Sequence, residues 1–333
     1  MDGKRAGQST PRSEGKSKSK RPLLVAVIGP TAVGKTKLAI TIAKALKCEI
    51  LNADSRQVYR GMPIGTAQPT HLERAAVPHH FVDFVEPDAL YSAGQFESDA
   101  MAWLERRFAN EKCAVLCGGS GLYIKAVLKG LDPVPADLTI RTQLNTRLEK
   151  EGLGSLVEEL KKLDAHHAAT MDTQNPQRVV RALEVCLSSG RPFSSFHTGT
   201  TSQRPFDTFV IGLKMERAEL IDRINRRTDL MMEAGLKAEV EDLRPHWNAN
   251  ALQTVGYREW KGHFSGEWTE AQVAEEIKLR TRQFAKRQMT WFKKMEDVHW
   301  FYPNQIESIT EALRVECEDR GWGAFQLTQN NGE

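Results

Sequence analysis

Residues 29–36 read Gly-Pro-Thr-Ala-Val-Gly-Lys-Thr, a match to the phosphate-binding pattern G-x-x-x-x-G-K-[ST]. The flanks give the loop its setting. Residues 23–28 are a short apolar run, as a buried strand would be, and residues 37–46 repeat their apolar positions at helical spacing. Strand, glycine loop and helix together aim backbone N–H groups and a helix N-terminus at phosphate oxygens. The expected phosphate contacts are therefore Gly29, Pro30, Thr31, Ala32, Val33, Gly34, Lys35 and Thr36. Lys35 would reach a terminal phosphate, and Thr36 would offer its hydroxyl to Mg²⁺. The loop predicts a bound polyphosphate. It does not select a reaction, because ATP and a prenyl diphosphate present the same kind of group to it.

A loop of this kind requires an α/β fold, and the rest of the chain supplies one. Residues 48–53 read as a second strand that ends at Asp54-Ser55-Arg56-Gln57. A polar cluster there, one crossover after the loop, lies on the ligand edge of an open sheet. Residues 80–85 read as a further strand and 93–110 as a helix with an apolar stripe. Residues 112–117 are a buried strand that turns through Gly118-Gly119-Ser120-Gly121, a second glycine-rich strand-to-helix turn facing the same edge. From 125 to 195 the pattern is helical and contains no convincing strand. The sheet resumes at 207–213, followed by long helices over about 217–244 and 268–294 and an edge strand at 298–301.

The expected architecture is an α/β core with a parallel sheet flanked by helices, of the type found in P-loop NTPases, plus an inserted all-helical lobe. Residues 1–22 are expected as a disordered basic tail, 23–124 and 196–303 as the core, 125–195 as the insertion and 304–333 as a C-terminal tail.

Composition excludes more than it selects. Hydrophobic residues make up 40% and charged residues 27% of the 333 residues, an ordinary balance for a soluble protein. No apolar run approaches the roughly 18 residues of a membrane span, and no secretory segment is present. The five cysteines form no C-x-x-C pair, which argues against a disulfide framework or a zinc ribbon and fits a reducing cytoplasm. The net charge of +3 gives no case for a nucleic-acid partner; that case needs clustered basic residues. Arg280, Arg282, Lys286, Arg287, Lys293 and Lys294, interleaved with Phe284, Trp291 and Phe292, are one cluster. Such a strip suits RNA backbone and exposed bases, and it equally suits an amphipathic helix docked on the core.

Two further features bear on chemistry. Asp54, following a strand beside the mouth of the loop, is a candidate general base or a carboxylate that binds Mg²⁺ through water. Arg223 and Arg227 lie four residues apart on one helical face, where they could clamp a diphosphate leaving group or stand as a solvated basic face.

Several motifs occur together and in order: 29–36, Asn52-Ala-Asp-Ser-Arg-Gln-Val-Tyr59 with Gly65-Thr66-Ala67, Val77-Pro-His-His80, Gly118-Gly-Ser-Gly-Leu-Tyr123, Asn175 to Val185, Val255-Gly-Tyr-Arg258 and Ala285-Lys-Arg-Gln288. From about Leu23 to Pro303 the chain resembles the tRNA dimethylallyltransferases, also called isopentenyl-tRNA transferases. That family transfers a dimethylallyl group from dimethylallyl diphosphate to the N6 amine of the adenosine 3′-adjacent to the anticodon. The resemblance implies that Thr31 to Thr36 hold the diphosphate with Mg²⁺ on Thr36. It implies that Asp54 accepts the amine proton, that Ser120 hydrogen-bonds near the bridging oxygen and that Arg227 contacts the diphosphate. It places the anticodon stem-loop of tRNA against Asp54, Ser55, Arg56, Gln57 and Ser120, against Gln177, Arg178, Val179, Val180 and Arg181, and against Gln253, Thr254, Val255, Gly256, Tyr257 and Arg258. Thr142 matches a further contact position, and the helical insertion would grip the anticodon arm. Position 120 is Ser where many members have Thr, which keeps the hydroxyl but loses the methyl that limits its rotation. The C-terminal zinc finger of eukaryotic members is absent, so the chain resembles the shorter bacterial type, and a cytoplasmic monomer is the expected form.

Three rival readings set the tests. A P-loop small-molecule kinase would phosphorylate a hydroxyl. An adenylate dimethylallyltransferase would prenylate a free nucleotide. A non-catalytic RNA-binding protein would need only the basic C-terminal helix and would leave a complete phosphate loop without a purpose.

Overall fold

The computed structural model describes residues 21–197, 202–322 and 327. The tail expected at 1–22 lies almost wholly outside these residues. In the described residues the chain forms two compact units, one holding the residues up to Ile124 and from Pro205 onward, the other Lys125–Arg204.

The first unit is built on one parallel sheet. Its strands are β1 (Leu23–Ile28), β2 (Ile50–Asn52), β3 (His79–His80), β4 (Cys113–Gly118), β5 (Asp207–Leu213) and β6 (Val298–Phe301), in the spatial order β3-β2-β4-β1-β5-β6. Every residue of β1 is fully buried, as expected for a central parallel strand covered on both faces. In register, Ile28 of β1 pairs with Gly118 of β4 and Gly212 of β5, while Asn52 of β2 pairs with Cys117. The ends of β1, β2 and β4 therefore come level at one edge. The chain passes to either side of β1 there, and in open α/β sheets this reversal is where ligands bind.

The helices around this sheet are α1 (Lys35–Leu46), α2 (His71–Ala76), α3 (Ala93–Phe108) and α4 (Gly121–Lys129), which begins in this unit. The second unit contributes α5 (Leu138–Glu151), α6 (Leu153–Leu163), α7 (Ala165–Thr170) and α8 (Pro176–Ser189). The chain then returns to the first unit with α9 (Arg217–Glu233), α10 (Leu236–Asp242), α11 (Trp260–Phe264), α12 (Glu270–Phe292) and α13 (Ile306–Asp319). Leu38, Ala39, Ile42 and Ala43 of α1 pack with Leu23, Val25 and Val27 of β1 and Ile50 of β2 in one buried cluster. No helix of the described residues is long and apolar enough to cross a membrane. The five cysteines are buried and unpaired by disulfides.

Three elements differ from the sequence reading, each for a local reason. The strand expected over 80–85 stops at His80, because Phe81 (φ 64°) and Asp83 (φ 57°) adopt the left-handed conformation and break the extended run. The Phe81 ring packs edge-on against Phe84 and Phe96, so the apolar residues there serve a turn and not a strand. The helix expected over 217–244 is two helices separated at Gly235 (φ 95°). The segment from 304 onward, read as a tail, contains α13, whose Ile309 and Leu313 enter the α1-side core and whose Cys317 is buried. Burying one stripe of a short amphipathic helix is enough to hold it, even though its composition reads as nondescript.

The second unit is a helical bundle around Leu144, Leu156, Leu160, Val179, Val180 and Leu183. Two buried carboxylates pin its loops. Glu184 accepts Asp137 N at 2.8 Å and pairs with the Arg141 and Arg181 guanidiniums at 2.9 and 3.0 Å. Asp164 accepts His167 N at 3.0 Å and Ser194 N at 2.7 Å. Buried charges are tolerated when paired in this way.

Candidate active site

A cavity of about 670 Å³ opens at the level strand ends of the first unit. The phosphate loop forms one side of it. Gly34, at φ 101°, caps α1 in the left-handed conformation that glycine adopts without strain, and the N-terminus of α1 faces the cavity through Lys35 and Thr36. Lys35 Nζ donates to Pro30 O at 2.8 Å, which holds the ammonium over the loop. Burial lowers the Lys35 pKa to about 8, and nearby Arg227 pushes the same way against the attraction of Asp54. Arg227, from α9, donates to Thr31 Oγ1 at 2.6 Å, and its pKa is lowered chiefly by burial. The two cations thus converge on the loop from opposite elements, an arrangement suited to an anion with charge on several oxygens.

Of the two arginines read as a clamp, only Arg227 lines the cavity. Arg223 pairs with Glu219 at 3.3 Å on the same helix.

The turn after β2 brings Asp54 into the cavity wall. Its Oδ1 accepts Arg56 N at 2.9 Å and Gln57 N at 3.4 Å, an Asx turn built from the side chain of the strand's next-but-one residue. Among the described residues no hydrogen bond reaches Oδ2. One carboxylate oxygen is anchored and the other is available to a substrate proton, which is the geometry a general base needs.

The glycine turn after β4 packs directly on the end of β2. Ala53 N donates to Cys117 O at 2.7 Å and Ser120 N to Ala53 O at 3.2 Å. A Cβ on Gly118 would lie 2.1 Å from Ala53 O, so no larger residue fits. Ser120 Oγ accepts Ser55 N at 2.9 Å and donates to Ser55 Oγ at 3.1 Å. Ser120 therefore ties its turn to the Asp54 turn, while the cavity wall itself is formed by Gly118 and Gly119. Cys117, behind them, has its thiol pushed up to about 12 by burial and stays protonated.

Gln288 is a residue to which the sequence reading gave no role, although it lies within the Ala285–Gln288 motif. It is buried at 6% exposure on α12. Its Oε1 accepts Thr31 N at 2.8 Å and its Nε2 donates to Gly119 O at 2.9 Å, so one amide joins the two glycine turns. Glu239 on α10 carried no sequence signal at all. It accepts Ile64 N at 2.7 Å, Gly65 N at 2.9 Å and Tyr257 Oη at 2.6 Å, and so fixes the loop that contributes Pro63, Ile64, Thr66, Ala67 and Gln68 to the cavity.

The residues expected to contact RNA divide by exposure. Ser55, Arg56 and Gln57 lie partly exposed beside Asp54, and Gln253 and Arg258 are exposed. Tyr257 is wholly buried against Gly65, and Gly256, at φ 99°, is buried with its N–H on Glu259. These two shape the 253–258 turn from inside, and the buried Tyr257 ring offers a partner no face. In the second unit Thr142, Gln177 and Arg178 are exposed, while the Val179 and Val180 side chains belong to the bundle core and Arg181 is engaged with Glu184. Helical periodicity explains this, since five consecutive residues of a helix cannot all face outward.

The parallel sheet, the phosphate loop at its edge and the cations around the cavity define a P-loop α/β protein. Residues 57–295 match the family model described as IPP transferase. The chain is 44% identical over 297 residues to a tRNA dimethylallyltransferase of Cytophaga hutchinsonii, covering 89% of this chain and 98% of that one. It is 46% identical over 279 residues to a tRNA dimethylallyltransferase of Christiangramia forsetii, covering 84% and 92%. The crystal structure of the full-length tRNA isopentenylpyrophosphate transferase from Bacillus halodurans superposes with a TM-score of 0.66 at 35% identity, over 92% of this chain and 98% of that one. The chain belongs to the tRNA dimethylallyltransferase family of prenyl-transferring enzymes.

Proposed function

We propose that this enzyme transfers a dimethylallyl group from dimethylallyl diphosphate to the N6 amine of the adenosine 3′-adjacent to the anticodon of tRNA. The observation that carries this reading is Asp54, with one oxygen anchored and one available, in the same cavity wall as Lys35 and Arg227. The allylic C–O bond breaks as the C–N bond forms, the electron pair leaves with diphosphate, and the amine proton passes to Asp54 Oδ2. An allylic carbon tolerates positive charge, so stabilising the leaving group matters more than a strong nucleophile; Lys35, Arg227 and the α1 N-terminus offer that stabilisation. The adenine amine is a weak nucleophile, because its lone pair is delocalised into the ring, and removal of its proton by Asp54 prevents charge from building on nitrogen.

The donor set suits Mg²⁺, since Thr36 gives a hydroxyl oxygen beside the phosphate positions and this ion keeps most of its waters. When bound on Thr36, it would neutralise charge on the departing diphosphate. The target base must leave the anticodon-loop stack to reach Asp54, and the exposed polar residues 55–57, 253 and 258 suit the strand around it. The helical unit, with Thr142, Gln177 and Arg178 on its surface, is assigned to the anticodon arm. The buried free cysteines fit work in the cytoplasm, and the chain is assigned as a monomer.

The test mixes the protein, Mg²⁺ and radiolabelled dimethylallyl diphosphate with unmodified tRNA, with AMP or ATP in parallel. Label in tRNA alone supports the reading. Label in the free nucleotide replaces it with an adenylate dimethylallyltransferase. No label in either, with γ-phosphate lost from ATP, replaces it with a kinase or NTPase.

A further inference from the structure

Asn52 is the last residue of β2 and is only 4% exposed, yet it lines the cavity. Its side chain shares a sheet face with Ile50, two residues earlier, which packs in the α1-side core. It lines the same cavity as Thr31, Lys35 and Thr36 of the phosphate loop. The strand end allows little movement, because Asn52 is registered on Cys117 and the following Ala53 N is bonded to Cys117 O at 2.7 Å.

Among the described residues Asn52 Nδ2 is buried without a hydrogen-bond partner. Buried polar groups are almost always hydrogen-bonded, so an orphan in a cavity wall points to a partner that arrives with the ligand. The surroundings say what kind. Lys35, Thr36 and Arg227 are donors around the same cavity, and Cys117 is held as a neutral thiol. Two carboxylates line this cavity: Asp54 has turned an oxygen onto its own backbone, and Glu73 is held by Thr70 in the cap of α2. A donor amide set among donors is matched by an acceptor with several oxygens.

We propose that Asn52 is a substrate-binding residue of this site, its side-chain amide donating to an oxygen of the bound diphosphate. This rests on the diphosphate assignment made above, and deepens it by adding a contact from β2 that neither the phosphate loop nor the arginine helix supplies.

The experiment is calorimetric titration of the full-length protein with magnesium pyrophosphate, alongside thermal melting and tRNA binding. Compared are the unaltered protein, Asn52→Leu and the isosteric Asn52→Asp. Asn52→Leu is expected to bind pyrophosphate roughly tenfold more weakly. Its melting temperature should be unchanged or raised, because an orphaned donor has been removed, and its tRNA affinity should be unaltered. Asn52→Asp is expected to lose more than Asn52→Leu, since a carboxylate repels the anion, and it carries the test alone if the leucine variant does not fold. Pyrophosphate binding by Asn52→Leu equal to that of the unaltered protein would make Asn52 a packing residue and overturn the proposal. Full binding by Asn52→Asp would overturn it too, because the group would then act as an acceptor. Failure of the unaltered protein to bind pyrophosphate at all would remove the diphosphate assignment together with this inference.

Discussion

Gly29–Thr36 and Gly118–Gly121 both carry a strand into a helix at the same edge of the sheet, and both are rich in glycine for different reasons. In the first turn Gly29 combines a φ of 150° with no room, since a Cβ there would lie 2.7 Å from Leu213 O, whereas Gly34 is needed for its backbone alone: φ is 101°, and a Cβ there would meet nothing closer than Arg223 Nη1 at 3.8 Å. In the second turn Gly118, Gly119 and Gly121 have ordinary backbone angles and no room. A Cβ would lie 2.1 Å from Ala53 O, 2.5 Å from Gln288 Nε2 and 2.3 Å from the Trp291 ring respectively. One turn is shaped to present N–H groups to a ligand. The other is shaped by the strand end and the α12 side chains that press on it. A glycine-rich strand-to-helix turn is thus one pattern with two physical origins, and only the first is itself a phosphate cradle.

The comparison can be broken at several places. The largest effect is expected from Gly118→Ala. Its Cβ would collide with backbone that cannot swing aside, so unfolding free energy measured in urea should fall by about 3 kcal/mol or more. A loss below about 1 kcal/mol would mean the β2 end yields, and that the second turn is not set by packing.

Next is Asp54→Ala, at the residue the two turns flank. Turnover should drop roughly 100-fold or more while tRNA still binds. Near-normal turnover would remove Asp54 as the base, and a defect confined to diphosphate binding would reassign it to the metal's waters.

Gln288→Ala cuts the only amide bridging the turns among the described residues, and leaves Thr31 N and Gly119 O without it. Diphosphate affinity should weaken about tenfold as the loop loses its anchor, and Gln288→Glu should recover the bond to Thr31 N but not that to Gly119 O. If the alanine variant binds normally and is merely less stable, the bridge serves the second turn alone.

The smallest effect concerns pH. Lys35 titrates at about 8 because burial disfavours its charge. Above that value the free enzyme loses a cation from the loop, so pyrophosphate affinity should fall several-fold between pH about 8 and about 9. Stability moves the other way. The unfolded chain holds this proton more tightly than the folded one, so the Lys35 contribution to folding improves as pH rises from about 8 toward 10.5. A flat affinity profile would mean that the α1 N-terminus and Arg227 hold the anion without Lys35.

Much of the first unit was legible in the residues. β1, β4 and residues 209–213 of β5 are continuous apolar runs, and full burial on both faces demands that of central parallel strands. Less was legible where apolar residues serve a turn. Residues 81–85 look like a strand, but a left-handed Phe81 and Asp83 redirect the chain, and no spacing rule anticipates that. α13 escaped for the opposite reason, since its pattern is weak and its stability comes from the core it covers. At the site, Lys35, Thr36, Asp54 and Arg227 were candidates from motif and spacing. Gln288, Glu239 and Asn52 act through partners more than 50 residues away in sequence or through the lack of one, and neither property is written locally.

The sequence alone determined the phosphate loop, the parallel-sheet class and the residue types of the chemistry, because each depends on a few neighbouring residues: apolar runs, a glycine at a fixed offset, a carboxylate after a strand. The tertiary structure decided which of the paired arginines lines the cavity, which glycines are there for space, and which members of the expected RNA-contact segments are core instead. Those outcomes depend on which surfaces meet when distant segments pack, and burial then removes side chains such as Val179, Val180 and Tyr257 from any partner's reach.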